Sequence, residues 1–273
     1  MVNIDRHTQL CISLAARPGN FGNGFHNFLY EKYRLNFIYK SHATSDLRSA
    51  LIGVKALNIR GCSLSMPFKQ EACLLVDDFG DEVTREIGAI NTLVNDNGRL
   101  LGYNTDYEGF LALLQSHQVD RKEPTVLFGS GGVAAAIAFA LRAYGQESVT
   151  VVSRRRELAA RLAQRTGYRS ADLDAHEPHG ILINATPLGM VPHVEQTPFG
   201  DLPLRTANLV FDVVTNPICP LLAQKCQSLN IPYVSGFALT VEQGQRQFAY
   251  YTGITPQPTD VVRAAEFALG VMG

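Results

Sequence analysis

Three features predict a two-part α/β protein whose second part is a doubly wound parallel sheet. From residue 125 onward, short apolar runs alternate with helical patterns. TVLF (125–128), SVTVVS (148–153), GILINAT (180–186), NLVFDVV (208–214) and PYVSG (232–236) read as strands. RRELAARLAQRTG (155–167) and PLLAQKCQSLN (220–230) read as helices among them. Such β-α-β alternation is the pattern of a parallel sheet covered on both faces. The second feature is a glycine-rich turn, Gly129-Ser130-Gly131-Gly132-Val133-Ala134, between the first run and an alanine-rich helix extending to Gly145. The third is a break in style at QVDRKEP (118–124), a polar, turn-rich connector within the second part.

The first hundred residues form a separate α/β pattern. QLCISLA (9–15) and LNFIYKS (35–41) have strand character, and FHNFLYEKYRL (25–35) between them has helical spacing. SDLRSALIGVKAL (45–57) opens on a Ser/Asp cap signal and reads as a helix. IRGCSLSM (59–66) is a strand stopped by Pro67. INTLVNDNGRLLGYN (90–104) is two apolar runs around Asn97-Gly98, a strong hairpin signal. TVEQGQRQFAYYTG (240–253) and TDVVRAAEFALGVM (259–272) are amphipathic helices expected to return to the first domain. The expected division is residues 1–105 completed by 239–273, and a second domain at 106–238.

Composition narrows the function. The 273 residues are 46% hydrophobic and 18% charged, with a net charge of -1, which suits a globular protein without a basic surface. Nucleic acid and anionic membrane are therefore not expected partners. The N-terminus MVNIDRHTQL lacks an apolar signal core, and five cysteines (Cys11, Cys62, Cys73, Cys219, Cys226) form no CxxC pair. A cytoplasmic protein without disulfides or zinc is expected, its cysteines serving as small buried apolar residues. His176 and His179 have near-metal spacing but no third ligand, and read as part of a solvated loop. A monomer or homodimer is expected.

The glycine turn satisfies G-x-G-x-x-G/A in its proper setting of strand before and helix after. Gly129 permits the turn, Gly131 admits a pyrophosphate close to the backbone, and Ala134 lets helix and strand pack. The N–H groups that open the helix, from Gly132 and Val133, suit phosphate. The next strand ends at Ser153, where an NAD enzyme usually carries an acid, and Arg154, Arg155 and Arg156 follow. Guanidinium groups fit a 2′-phosphate, so NADP is the expected cofactor, with at least one arginine left as plain solvated surface.

Taken singly, the Lys of MPFK (66–69) reads as surface and the Asp of Asn104-Thr105-Asp106 as a helix cap. Together with other motifs they carry more. Gly61-Cys-Ser63-Leu-Ser65-Met-Pro67-Phe-Lys69, Gly88-Ala-Ile-Asn91-Thr92, Gly102-Tyr-Asn-Thr-Asp106, the glycine turn, Asn184-Ala-Thr186-Pro-Leu-Gly189-Met190 and Gln243 follow in order. In this the chain resembles the shikimate dehydrogenase family over nearly its whole length. The resemblance implies a Rossmann-type NADP domain and a substrate domain, with the active site in the cleft between them. It also implies reversible reduction of 3-dehydroshikimate to shikimate, a step of aromatic amino acid and chorismate biosynthesis.

Lys69 is thereby implied as the catalytic lysine, Asp106 as its partner, and Ser63, Ser65, Asn91 and Gln243 as substrate contacts. The implied cofactor residues are Gly129 to Val133, Ser153, Arg154, Arg155, Asn184, Thr186, Val213 and Gly236. Departures cluster at the end that would hold the substrate carboxylate. The family's two serines before His-Asn fall at Asn20 and Gly22, its Asn and Thr in the lysine motif at Ser63 and Ser65, and the tyrosine of D-x-x-Y-x-P at Thr215. The methionine near the nicotinamide falls at Leu239. Weak turnover of shikimate is expected, as is partial recovery when serines are restored at positions 20 and 22. Arg17 or a backbone N–H is the alternative carboxylate ligand. Two rival readings are a dehydrogenase of another cyclic hydroxy acid, such as quinate or a relative, and a cofactor-binding sensor without turnover.

Overall fold

The computed structural model describes residues 4–172 and 180–272; His176 and His179 lie outside the described residues. The chain divides into two compact units, residues 1–105 with 243–273, and residues 106–242.

In the first unit, β1 (Gln9–Ala15), α1 (Phe21–Lys32), β2 (Phe37–Ala43), α2 (Leu47–Ala56) and β3 (Gly61–Leu64) are followed by β4 (Asp78–Phe79), α3 (Glu82–Ile87), β5 (Thr92–Asp96) and β6 (Arg99–Tyr103). The six strands form one mixed sheet in the order β2-β1-β3-β5-β6-β4. β1 is parallel to β2 and to β3, whereas β5 is antiparallel to both its neighbours. Asn97 and Gly98, both at positive φ, make the two-residue turn between β5 and β6. Asp46 caps α2 by accepting from Ser49 N–H, as the Ser/Asp signal implied.

Alternation along β1 and β3 sends Ile12, Leu14, Cys62 and Leu64 into an apolar core with Leu47, Leu51 and Val54 of α2. α1 starts four residues before the helical spacing seen in the sequence, because Gly22 and Gly24 hide its first turn. A side chain at Gly24 would strike the backbone of Ala268, so the last helix lies close against α1.

The second unit opens with α4 (Thr105–Ser116), in whose first turn Asp106 stands. It continues with β7 (Thr125–Phe128), α5 (Gly132–Tyr144), β8 (Val149–Val152), α6 (Arg156–Thr166), β9 (Arg169–Ala171), β10 (Ile181–Asn184), α7 (Asp201–Arg205), β11 (Leu209–Asp212), α8 (Leu221–Ser228) and β12 (Tyr233–Val234). Its sheet is wholly parallel, in the order β12-β11-β10-β7-β8-β9. The order reverses direction at β7, so the crevice at the carboxyl end of β7 is a topological switch point, where doubly wound sheets bind ligands. Strands β7, β8 and β10 are buried along their whole length, which accounts for their unbroken apolar sequence.

α9 (Gly236–Thr252) and α10 (Pro258–Met272) complete the chain. α9 begins at Gly236 rather than Thr240, since Ser235 accepts from Ala238 N–H and opens the helix earlier. Cysteines need a correction. Cys11, Cys62 and Cys226 are buried, but Cys73 is half-buried and Cys219 is exposed in the loop after β11. Among the described residues no helix is long and apolar enough to cross a membrane, and no cluster of three or more His, Cys, Asp or Glu side chains is placed to hold a metal.

Candidate active site

Three motifs of the first unit meet at the segment 89–92. The carbonyl of Lys69 accepts from Ile90 N–H at 2.7 Å. Asn104 Nδ2 donates to Ala89 O at 2.7 Å. Asn91 Oδ1 accepts from Thr105 N–H at 2.8 Å, from Thr105 Oγ1 at 3.0 Å and from Thr92 Oγ1 at 2.9 Å. These bonds fix the amide of Asn91, so that its Nδ2 is turned away from Thr105. Thr92 Oγ1 is further engaged by Thr105 Oγ1 at 3.1 Å and by Gln247 Nε2 at 3.3 Å. Asn91, Thr92, Asn104, Thr105 and Asp106 are all buried, so their polar atoms exert force in a low-dielectric setting. Lys69 is half-buried, and Asp106 follows Thr105 directly.

Ser63, half-buried on β3, bonds Tyr39 Oη at 2.7 Å. Ser65 and Asn20 are exposed, and Gly22 and Gln243 are half-buried. Neither Tyr39 nor Gln247 stood out in the sequence. Gln247 carried a usable signal, lying one helical turn after Gln243 on α9. Tyr39 lies two strands away from Ser63, a separation no local pattern reports.

In the second unit the glycine turn has the geometry dinucleotide binding requires. Gly129 sits at φ +134, and a side chain there would lie 2.6 Å from Ala185 O. Gly131 precedes α5, and a Cβ built on it meets nothing within 4 Å. That open space beside the first N–H groups of the helix fits a pyrophosphate. Ser130 Oγ and Ser153 Oγ are 2.9 Å apart, and Ser153 Oγ accepts from Arg155 N–H at 3.2 Å. Arg154, Arg155 and Arg156 are all exposed, and Arg156 is ion-paired with Asp172 at 2.9 Å. Arg156 is thus engaged on the surface. Replacing Arg154 and Arg155 by neutral residues should raise the NADP dissociation constant about tenfold or more and leave NAD little changed. Equal loss for both cofactors in a binding titration would assign the arginines to the fold or to a shared phosphate.

Asn184 is consumed internally. Its Nδ2 donates to Leu188 O and to Asp212 Oδ1, and its Oδ1 accepts from Thr186 N–H and Oγ1. It shapes the loop after β10, to which Val213 N–H is also tied through Asn184 O. A side chain at Gly236 would strike the backbone of Val213 and Val214, so glycine there serves a close approach. Thr215 is half-buried in the following loop and Leu239 is buried on α9.

Asp212, behind this loop, also accepts from Val214 N–H and Tyr233 Oη. Burial nevertheless pushes its pKa up to about 6, the three donors only partly opposing desolvation. The folded state therefore holds this proton more tightly than the unfolded chain. The resulting stability is complete below the ordinary value of 3.8 and is lost as pH rises through about 6. The loss amounts to roughly 3 kcal/mol. Asp212→Asn keeps an oxygen for Asn184 and Val214 and meets Tyr233 Oη with an amide N–H that the phenol oxygen can accept, and it should flatten that part of the profile. Urea unfolding across the window checks this, and identical slopes in both proteins would contradict it.

A doubly wound dinucleotide-binding unit, joined to an α/β unit rich in buried hydroxyl and amide groups, defines a nucleotide-dependent oxidoreductase. Residues 23–93 match the family model described as the shikimate dehydrogenase substrate binding domain. A shikimate dehydrogenase-like protein of Haemophilus influenzae is 37% identical over 97% of this chain and 98% of its own length. A shikimate dehydrogenase (NADP(+)) of Symbiobacterium thermophilum is 36% identical over 82% of this chain and 81% of its own. The shikimate 5-dehydrogenase of Thermus thermophilus, solved with NADP(H) and shikimate, superposes with a TM-score of 0.85 at 29% identity, covering 95% of this chain and all of that one. The chain belongs to the shikimate dehydrogenase family.

Proposed function

We propose that the chain catalyses the reversible, NADP-dependent reduction of 3-dehydroshikimate to shikimate. The observation that carries this is the convergence of the 61–69, 88–92 and 102–106 motifs on one buried polar segment. A ring ketone becomes an alcohol by gaining a hydride at carbon and a proton at oxygen. NADPH supplies the hydride when bound. Lys69 polarises the ketone oxygen and delivers its proton, with Asp106 as its acidic partner. Asn91, whose Oδ1 is occupied by Thr105, presents Nδ2 to a ring hydroxyl. Gln243 is the second amide of the set. Buried amides of this kind discriminate against a substrate lacking the hydroxyl, because they would be left unpaired.

A second reading keeps the chemistry and changes the ring acid to quinate or a relative. Asn20, Gly22 and Thr215, standing where the family has two serines and a tyrosine, favour it. Steady-state kinetics with NADP and a panel of cyclic hydroxy acids decide between them. Turnover of shikimate, with an efficiency below that of a dedicated biosynthetic enzyme, is expected. A much better quinate-type substrate would move the assignment to the second reading, and no turnover with any of them would refute both. A cytoplasmic location follows from the same reading, and a tagged protein localised in cells tests it.

A further inference from the structure

The expectation that serines at positions 20 and 22 would repair the carboxylate end meets an obstacle in the structure. A Cβ at position 22 would lie 2.7 Å from Tyr39 Cε1 and 3.1 Å from its Cζ and Oη. The ring has little freedom to withdraw. His26 stacks on it at 4.3 Å between centroids. Asn27 clamps its main chain, with Oδ1 accepting from Tyr39 N–H at 2.8 Å and Nδ2 donating to Tyr39 O at 2.9 Å. Burial lowers the pKa of His26 to about 3, so the stack stays uncharged. The first turns of α1 are thus built around Tyr39: Gly22 leaves it room, His26 supports its ring and Asn27 fixes its backbone.

What that tyrosine serves is a row of hydroxyls. The strand register places Ser41 of β2 beside Ser13 of β1, Ser13 beside Ser63 of β3, and Ser63 beside Thr92 of β5. Residues paired in this way project from the same face of a sheet. Tyr39, two residues before Ser41, lies on that face, bonds the Ser63 side chain and lies beside the Ser13 side chain. Ser13 and Ser63 are half-buried, and Ser41 Oγ is buried without a hydrogen-bond partner. A buried hydroxyl left unsatisfied in a row of hydroxyls is costly unless a further polar group completes it. Burial raises the Tyr39 pKa, so the phenol keeps its proton and can donate. When Tyr39 donates its one hydrogen to Ser63 Oγ, the Ser63 hydrogen is released toward a ligand, and Ser13, which takes no hydrogen from Tyr39, turns its own hydrogen the same way. A carboxylate, which only accepts, is the matching ligand.

Resting on the function proposed above, we infer that the substrate carboxylate is received by Ser13 and Ser63, organised by Tyr39, in place of side chains at positions 20 and 22. Ser13 and Ser63 are binding residues in this arrangement, and Tyr39 is a positioning residue.

The test compares shikimate with its methyl ester, which keeps the ring hydroxyls and lacks the anion. Binding is measured by calorimetry on the NADP-loaded protein, and turnover is followed separately. Ser13→Ala with Ser63→Ala should weaken shikimate binding about tenfold or more and leave the ester nearly unchanged. Tyr39→Phe, which keeps the ring, should give a smaller loss of the same kind, seen in KM more than in kcat, with an unchanged Tm. Gly22→Ser should lower the Tm without improving shikimate binding, and combining it with Tyr39→Leu should restore much of the Tm. Unchanged shikimate affinity in the double serine variant, equal loss for acid and ester, or tighter shikimate binding by Gly22→Ser alone would each overturn the inference. Absence of turnover in the wild type counts against the proposed reaction only, because the acid–ester comparison reads binding.

Discussion

Lys69→Ala should lower turnover of a cyclic hydroxy acid by about two to four orders of magnitude, the usual cost of losing a positioned acid–base group. NADP affinity should hardly change, because the glycine turn and Arg154–Arg155 belong to a separate compact unit. The fold should survive as well. Main-chain bonds help anchor this segment, Lys69 O to Ile90 N–H and Phe68 N–H to Ser65 O, and alanine keeps both. Lys69→Arg sharpens the result. Arginine retains the charge but does not release its proton at any working pH, so it should restore polarisation and not proton delivery. Steady-state kinetics alongside a cofactor titration measure both effects. Near-normal turnover by the alanine variant would remove Lys69 from the chemistry.

The second large effect separates two glycines of one turn. Gly129→Ala forces a Cβ to within 2.6 Å of Ala185 O while holding φ at +134, so either the turn or the loop after β10 must shift. Such strain costs roughly 3 kcal/mol and should appear as a lowered Tm in the protein without cofactor, together with lost NADP binding. Gly131→Ala is different. Its φ of -87 is open to any residue and nothing stands within 4 Å of the added methyl, so the unliganded protein should melt as the wild type does. The methyl instead takes up space beside the helix N-terminus, and NADP binding should weaken about tenfold or more. Thermal unfolding with and without NADP reads both variants. A destabilised Gly131→Ala protein, or one that binds NADP normally, would show that the open space at residue 131 is not the pyrophosphate seat.

The contrast between these glycines also shows what the sequence could disclose. The turn was legible because its requirements are local: a buried run, a residue at positive φ, and a helix start within six positions. The Asn97-Gly98 hairpin and the Asp46 cap were legible for the same reason. The Lys69 and Asp106 motifs drew their force from their order along the chain, since each alone resembled a surface lysine or a helix cap. Elements such as β4, of two residues, and β9, of three, are too short for any periodicity to announce them.

The Tyr39–Ser63 bond and the Thr92–Gln247 bond join residues 24 and 155 positions apart, and they exist only once the strand order β2-β1-β3-β5 and the path of α9 are known. Gly22 illustrates the cost of reading a position without its neighbours. From sequence it was a missing serine, whereas in the fold it is the space that Tyr39 occupies. Asp212 is a similar case, a motif residue two of whose three hydrogen-bond donors, Asn184 and Tyr233, come from other segments.

In the proposed reaction a ring carbinol hydrogen passes as hydride to NADP while the chain handles the proton. Shikimate deuterated at the carbon that bears the reacting hydroxyl tests it most directly, with quinate labelled in the same way run in parallel. The wild type should move deuterium onto the nicotinamide ring of NADP and slow measurably with the labelled substrate, while Lys69→Ala should move almost none. NADPH that forms without label, or no transfer from either acid, would contradict the account.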